Sequence, residues 1–296
     1  MTRRRLPANF VIGAVLVALV VGTAALSLVW TPHDATAMNI RDKFADPSAA
    51  HWLGTDQLGR DVVSQLMAAA RNSMAVALIA VLLGGSVGVT LGLLASAIGG
   101  WVEDGVMRLA DLGFAFPALL FAIMLAAVFG PSLTNAVLAI AFINIPVFAR
   151  VARGSANQVW TLDYVSAARA AGMNRFAISR DHILPNIAAA IIVQATIEFA
   201  VAILAEAALS YLGLGAQPPA SSWGRMLSEA QTLMYLAPQL AIYPGLCIVV
   251  AVLGFGLLGD GLRDMTDPGW RGSDRCSSST ISPPLSALPP PCAMPS

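Results

Sequence analysis

Six apolar runs, each close to the length of a membrane-crossing helix, dominate this chain. They cover residues 10–30, 74–98, 112–129, 133–152, 187–212 and 236–258. A bilayer's hydrocarbon core calls for about 17–25 consecutive apolar residues in helical form. Backbone N–H and C=O groups find no water there, so each run is expected to be a helix. The alternating apolar–polar pattern of a membrane β-barrel is absent. The fourth run is the most polar, carrying Asn135, Asn144 and Arg150. Composition agrees. Charged residues make up 11% and hydrophobic ones 57%, against about 25% and 45–50% in soluble domains. A water-exposed fold would lack the polar groups to cover itself. The expected fold class is all-α, a polytopic membrane protein of six transmembrane helices. The formal net charge of +0 carries no footprint of nucleic-acid binding.

Orientation follows from Lys and Arg, which favour the cytoplasmic side. Arg3, Arg4 and Arg5 precede the first run, which predicts a cytoplasmic N-terminus; six crossings then return the C-terminus to the same side. On that topology twelve of the 17 Lys and Arg residues lie inside, and only Arg41, Lys43, Arg60, Arg71 and Arg225 lie outside. The basic start and Ala35-Thr36-Ala37 have the look of a signal peptide. The apolar stretch 10–30 exceeds the about 7–15 residues of a signal core, so it is read as a span. The chain then divides into a first helix with an outer segment (1–73), a core of the remaining spans (74–262) with a cytoplasmic loop at 153–186, and a tail (263–296). The Ser-, Pro- and Gly-rich part of that tail cannot bury enough apolar area to offset its ordering entropy, and disorder is expected there. A second outer segment spans 213–235.

Several chemistries are excluded. Lys43 is the only lysine and follows no glycine-rich loop, so no phosphate-binding G-x-x-x-x-G-K-[ST] loop exists. The chain is not expected to hydrolyse ATP or to be an enzyme. Neither H-E-x-x-H nor G-x-S-x-G occurs. Cys247, Cys276 and Cys292 form no CxxC pair, and His33, His51 and His182 are too scattered to form a cluster. No metal site or cofactor is read from them. Glu198 and Glu206 fall inside the fifth run, where a charge costs about 2.5–3.5 kcal/mol at mid-bilayer. They are either translocation-path or gate residues or structural hydrogen-bond partners between helices. Arg108 and Asp111, three apart near the inner end of the third run, are expected to pair structurally.

Residues 162–186, LDYVSAARAAGMNRFAISRDHILPN, form the most informative loop. Tyr164, Ala167, Ala168 and Ala171 follow helical spacing and give a small, smooth face, with Asp163, Ser166 and Arg169 on other faces. Gly172 suits a left-handed helix stop, Asn174 suits a cap for a following helix, and Pro185 is expected to break or redirect the chain. A short helix with small side chains lets a partner approach closely. The bland alternative is an amphipathic connector resting on the membrane.

The run Ser166-Ala167-Ala168, then Gly172, then His182 and Leu184-Pro185-Asn186, resembles the EAA loop of binding-protein-dependent ABC permeases. Residues 51–61 (HWLGTDQLGRD), 206–215 (EAALSYLGLG) and 257–268 (LLGDGLRDMTDP) are similar to the C-type subunits of dipeptide, oligopeptide and nickel importers, over about residues 8–268. The resemblance implies an ABC importer (type I) permease fold in the bacterial inner membrane. It also implies a homologous B-type permease as partner, two ATP-binding subunits and an extracytoplasmic solute-binding protein. Asp163, Tyr164, Ser166, Ala167, Ala168, Arg169, Gly172 and Pro185 become the ATPase-coupling set. One departure stands out: the triplet's glutamate is Ser166 here. An ion-coupled secondary transporter is the rival reading; it would need an intramembrane relay beyond Glu198 and Glu206 and usually an inverted repeat.

Overall fold

The computed structural model describes residues 7–266. Arg3, Arg4, Arg5, Arg271, Arg275, Cys276 and Cys292, and the tail expected to be disordered, lie outside them. The described residues are helical and form no strand; Thr55 and Asp61 make one isolated bridge. Ten helices follow one another: α1 (Ala8–Leu26), α2 (Val62–Ile98), α3 (Gly100–Ala115), α4 (Ala118–Phe129), α5 (Leu133–Trp160), α6 (Asp163–Ala170), α7 (Arg175–Ile178), α8 (Leu184–Tyr211), α9 (Trp223–Gln231) and α10 (Gln239–Thr266).

Among the described residues, five helical stretches are long and apolar enough to cross a membrane: α1, α2, α5, the continuous rod Arg175–Tyr211 that contains α7 and α8, and α10. The third expected span differs. It is split between α3 and α4, which meet at an 82° bend and make the sixth span when taken together. The cause is local. Phe116, held extended at φ −85° and ψ 119° before Pro117, cannot stay helical beside a proline ring. Alone, the 12 residues of α4 reach about 18 Å, short of the ~30 Å hydrocarbon core.

Other boundaries also move. α2 begins at Val62, well before the expected start at Met74, because Asp61 caps it by accepting the Ser64 N–H at 2.8 Å. At 37 residues it is about 55 Å long and must project beyond the bilayer. α10 continues to Thr266, so the first residues assigned to the tail, from Arg263, are helical.

Lipid tails are as apolar as leucine, so the spans are held by close packing rather than by escape from water. The most extensive seam joins α2 to α5. A Cβ at Gly84 would lie 2.6 Å from the Ala141 carbonyl oxygen, and one at Gly92 would lie 2.9 Å from the Ala152 Cβ. Gly88, between them, faces the Ile145 carbonyl and sits where a Cβ would come 2.7 Å from that of Phe148. This four-residue glycine repeat brings two backbones nearly into contact. α1 packs on α10 in the same manner, with Gly13 against the backbone of Leu258 and Gly261 against Phe10.

Candidate functional site

α6 is a two-turn helix whose end is set by a single glycine. Gly172 adopts φ +84°. Its N–H donates to the Arg169 carbonyl at 3.0 Å, and the Met173 N–H donates to the Ala168 carbonyl at 3.2 Å. These bonds form a Schellman stop. Asn174 then caps α7, accepting the Phe176 N–H at 3.2 Å. Both turn signals in the sequence have their expected structural roles.

The face that α6 presents is not quite the expected one. Val165 is fully buried and Ala168 half-buried; they pack against Ala152, Ala156, Ile178, Ile183 and Ile187. Ala168 therefore faces the core and leaves the exposed face. Asp163, Tyr164, Ser166, Ala167, Arg169, Ala170, Ala171 and Gly172 are exposed, so the helix offers a low surface of small side chains flanked by one acid and one base. Asp163 lies in the first turn and Arg169 in the last, each matching the sign of the helix dipole. The Arg169 guanidinium sits 5.3 Å from the Trp160 ring centroid. The Tyr164 hydroxyl accepts from Asn186 Nδ2 at 3.0 Å, tying α6 to the start of α8.

Pro185 does not break the chain. It occupies the first turn of α8, where a missing N–H costs little, and the preceding Ser179–Ile183 segment is a π turn. The extra residue in that turn explains why the anchors Ile178, Ile183 and Ile187 follow no simple helical spacing. Their pattern was missed in the sequence for that reason. Arg175 was missed too. It donates to the Ala97 and Ile98 carbonyls, both at 3.0 Å, and so caps the end of α2. The loop is thereby pinned to α2, α5 and α8 together.

Glu198 and Glu206 lie apart from this surface. Glu206 is fully buried. Ser73 donates to one oxygen at 2.7 Å and Ser210 to the other at 2.6 Å. Ser73 also accepts the Trp223 N–H at 3.4 Å, and Ser210 the Ala216 N–H at 3.2 Å. The carboxylate thus joins α2, α8 and the start of α9. Glu198 is buried and accepts from Gln194 at 2.8 Å. Gln194, not Glu198, lines a cleft of about 810 Å³ between α5, α8 and α10, together with Ser155, Gln158, Asn186 and Arg263. Asp111 pairs with Arg150 of α5 rather than with Arg108, because α5 packs along α3 and brings the guanidinium within reach.

The segment between α1 and α2 is braced by Asp56, Arg60 and Asp61. Asp56 accepts from the Leu58 and Arg60 N–H groups at 2.8 Å and from Gln65 at 2.9 Å. Arg60 Nε reaches Asp56 at 2.6 Å, and its terminal nitrogen reaches Glu229 of α9 at 2.8 Å. Burial opposes the Arg60 charge, but Asp56 and Glu229 together hold its pKa above the ordinary value. Burial likewise pushes the Asp61 carboxyl up, yet the Ser64 hydroxyl and N–H and then His51 outweigh it, leaving it below the usual carboxylate range. Widely separated in sequence, His33 and His51 do meet in the fold, with ring centroids 4.7 Å apart beside Asp61. Long-range folding around α2 brings them together, which residue spacing could not show.

The described residues thus form a bundle of bent and straight spans carrying a short, small-faced, glycine-stopped helix. Residues 88–272 match the family described as "Binding-protein-dependent transport system inner membrane component". The chain is 43% identical over 259 residues to the glutathione transport system permease protein GsiD of Pectobacterium atrosepticum, covering 87% of this chain and 86% of that protein. It is 41% identical over 258 residues to the dipeptide transport system permease protein DppC of Alkalihalophilus pseudofirmus, covering 87% and 85%. Among solved structures, an inward-facing form of the MetNI methionine ABC transporter aligns with TM-score 0.58, covering 69% of this chain and 97% of that one at 18% identity. That likeness supports the fold alone. The chain belongs to the binding-protein-dependent transport system inner membrane components: it is a multi-pass permease subunit of an ABC importer, with the type I permease fold. The secondary-transporter reading is set aside.

Proposed function

We propose that this subunit forms half of the translocation pathway for a small peptide, and that α6 is the element through which separate ATP-binding subunits move it. The observation that carries the coupling role is the combination at α6: a glycine-stopped helix with an exposed small face, whose opposite face is locked against α5 and the start of α8 through Val165, and whose successor α7 is tied to the end of α2 through Arg175. A push on such a helix is delivered to three spans at once. Ser166 in place of an acidic residue leaves docking to shape, with Asp163 and Arg169 as the flanking charges. The names of the relatives favour a small peptide such as a dipeptide or glutathione over a nickel complex.

The assembly that fits this reading has a homologous B-type permease opposite the cleft between α5, α8 and α10, two ATP-binding subunits beneath α6, and a solute-binding protein over the braced outer segments. The cluster of inside arginines supports cytoplasmic N- and C-termini in the bacterial inner membrane. Glu206 serves as an interhelical brace, since both carboxylate oxygens are occupied by serine hydroxyls.

Two experiments test this. Peptide uptake into vesicles should require the ATP-binding pair and ATP; uptake driven by an ion gradient with no ATPase present would overturn the proposal. In a background lacking other cysteines, Ser166→Cys should react with a membrane-impermeant maleimide only in inverted vesicles. Reaction in right-side-out vesicles would place α6 on the wrong side of the membrane.

A further inference from the structure

We infer that His33, His51 and Asp61 form a site for one borderline divalent cation of the Zn²⁺ class, which clamps the segment following α1 to the N-terminus of α2. One ligand atom from each residue lies within 4.8 Å of the other two. A tetrahedral zinc site with bonds of about 2.0–2.1 Å needs ligand atoms roughly 3.3 Å apart, so the gap closes with a modest turn of one exposed side chain. His33 is that side chain: it is exposed, His51 is half-buried, and Asp61 is buried.

The site's backbone is already built. The His33 N–H donates to Ser64 Oγ at 2.9 Å, and its carbonyl accepts from the Thr31 hydroxyl at 2.8 Å. Ser64 Oγ in turn donates to Asp61 Oδ2 at 2.7 Å. One hydroxyl therefore sets both the first histidine and the carboxylate. Asp61 Oδ1 meets His51 Nδ1 at 3.0 Å, either as a fellow ligand or as the carboxylate that orients a metal-binding imidazole. The His33 ring, by contrast, makes no hydrogen bond among the described residues, although its backbone is held on both sides.

Charge separates this cluster from its neighbour. Asp56, a few residues away, has its carboxylate taken by Arg60 and Gln65. Asp61 pairs with His51 and, among the described residues, with no arginine or lysine. Two imidazoles and one carboxylate, with open positions toward solvent, suit Zn²⁺, Co²⁺ or Ni²⁺. Ca²⁺ and Mg²⁺ favour all-oxygen sites. The inference does not depend on the transported solute or on the role of α6.

The test uses the full-length chain in its purified membrane complex, stripped with chelator and titrated with Co²⁺ as a spectroscopic probe. The expected result is visible d–d absorption saturating at one Co²⁺ per chain, displaced by Zn²⁺ and unaffected by Mg²⁺ or Ca²⁺. His33→Phe keeps the ring stack and all three backbone and hydroxyl contacts; it should abolish the bands and weaken Zn²⁺ binding at least tenfold, while the metal-free protein melts as before. His51→Asn should act alike. Zn²⁺ should raise the melting temperature of the wild-type chain but not of His33→Phe. Absence of saturable binding to the wild-type chain, or unchanged binding in His33→Phe, would overturn the inference.

Discussion

Replacing Gly172 probes the proposed coupling role of α6 through backbone conformation alone. The residue holds φ +84°, and a Cβ added there would meet nothing within 4 Å, so steric clash plays no part. An L-residue kept in the left-handed region costs about 1–2 kcal/mol, with a β-branched side chain at the upper end. Abandoning that conformation instead forfeits the Gly172-to-Arg169 and Met173-to-Ala168 bonds, each worth about 1 kcal/mol. Either route costs about 2 kcal/mol for valine, and each 1.4 kcal/mol is tenfold in an equilibrium. Gly172→Val should therefore lower ATP-driven uptake by about tenfold or more, with normal amounts of chain in the membrane because the site is exposed. Gly172→Asn is the control: asparagine tolerates the left-handed region, so most uptake should survive. The assay is peptide accumulation in right-side-out vesicles, normalised to membrane protein. Wild-type uptake in Gly172→Val, or equal damage from valine and asparagine, would refute the link between this backbone turn and coupling.

Three further outcomes are expected. Val165→Ala removes the buried anchor beneath the exposed face and should cost about 2 kcal/mol of local packing, seen as earlier protease cleavage between α5 and α8. Gly88→Ala forces a methyl group against the Ile145 carbonyl and the Phe148 side chain; overpacking of about 1–3 kcal/mol should lower the melting temperature of the detergent-solubilised complex, whereas Gly105→Ala, with open space around it, should not. Glu206→Ala strands two buried serine hydroxyls and should destabilise the complex by about 2 kcal/mol. Glu206→Gln should retain most stability and transport, and abolished transport with intact stability would instead mark Glu206 as a gate.

Much of this protein was legible in its residues because local chemistry is strong at particular places. Apolar runs of bilayer length must become helices, whatever surrounds them, since hydrocarbon offers the backbone no other partner. Gly172 and Asn174 marked the end of one helix and the start of the next, because a left-handed turn and a capping amide are short-range requirements. Pro117 was equally local, and the bend at Phe116 follows from it, although the run 112–129 looked continuous by hydropathy alone.

What the chain's own order could not reveal depended on partners distant in sequence. Val165 and Ala168 turn inward because α5 and α8 supply the surface they meet. Arg175 caps α2 only because folding brings the two ends together, and Asp111 chooses Arg150 over its near neighbour Arg108 for the same reason. Glu206 could have faced a pathway or a helix; only folding brings Ser73 of α2 to its carboxylate, opposite Ser210 of its own helix. Three scattered histidines carried no message until the fold set His33 over His51 and Asp61. Helix formation in a membrane is dictated residue by residue, whereas the partner of a buried polar group is chosen by whichever remote side chain packing places within about 3 Å.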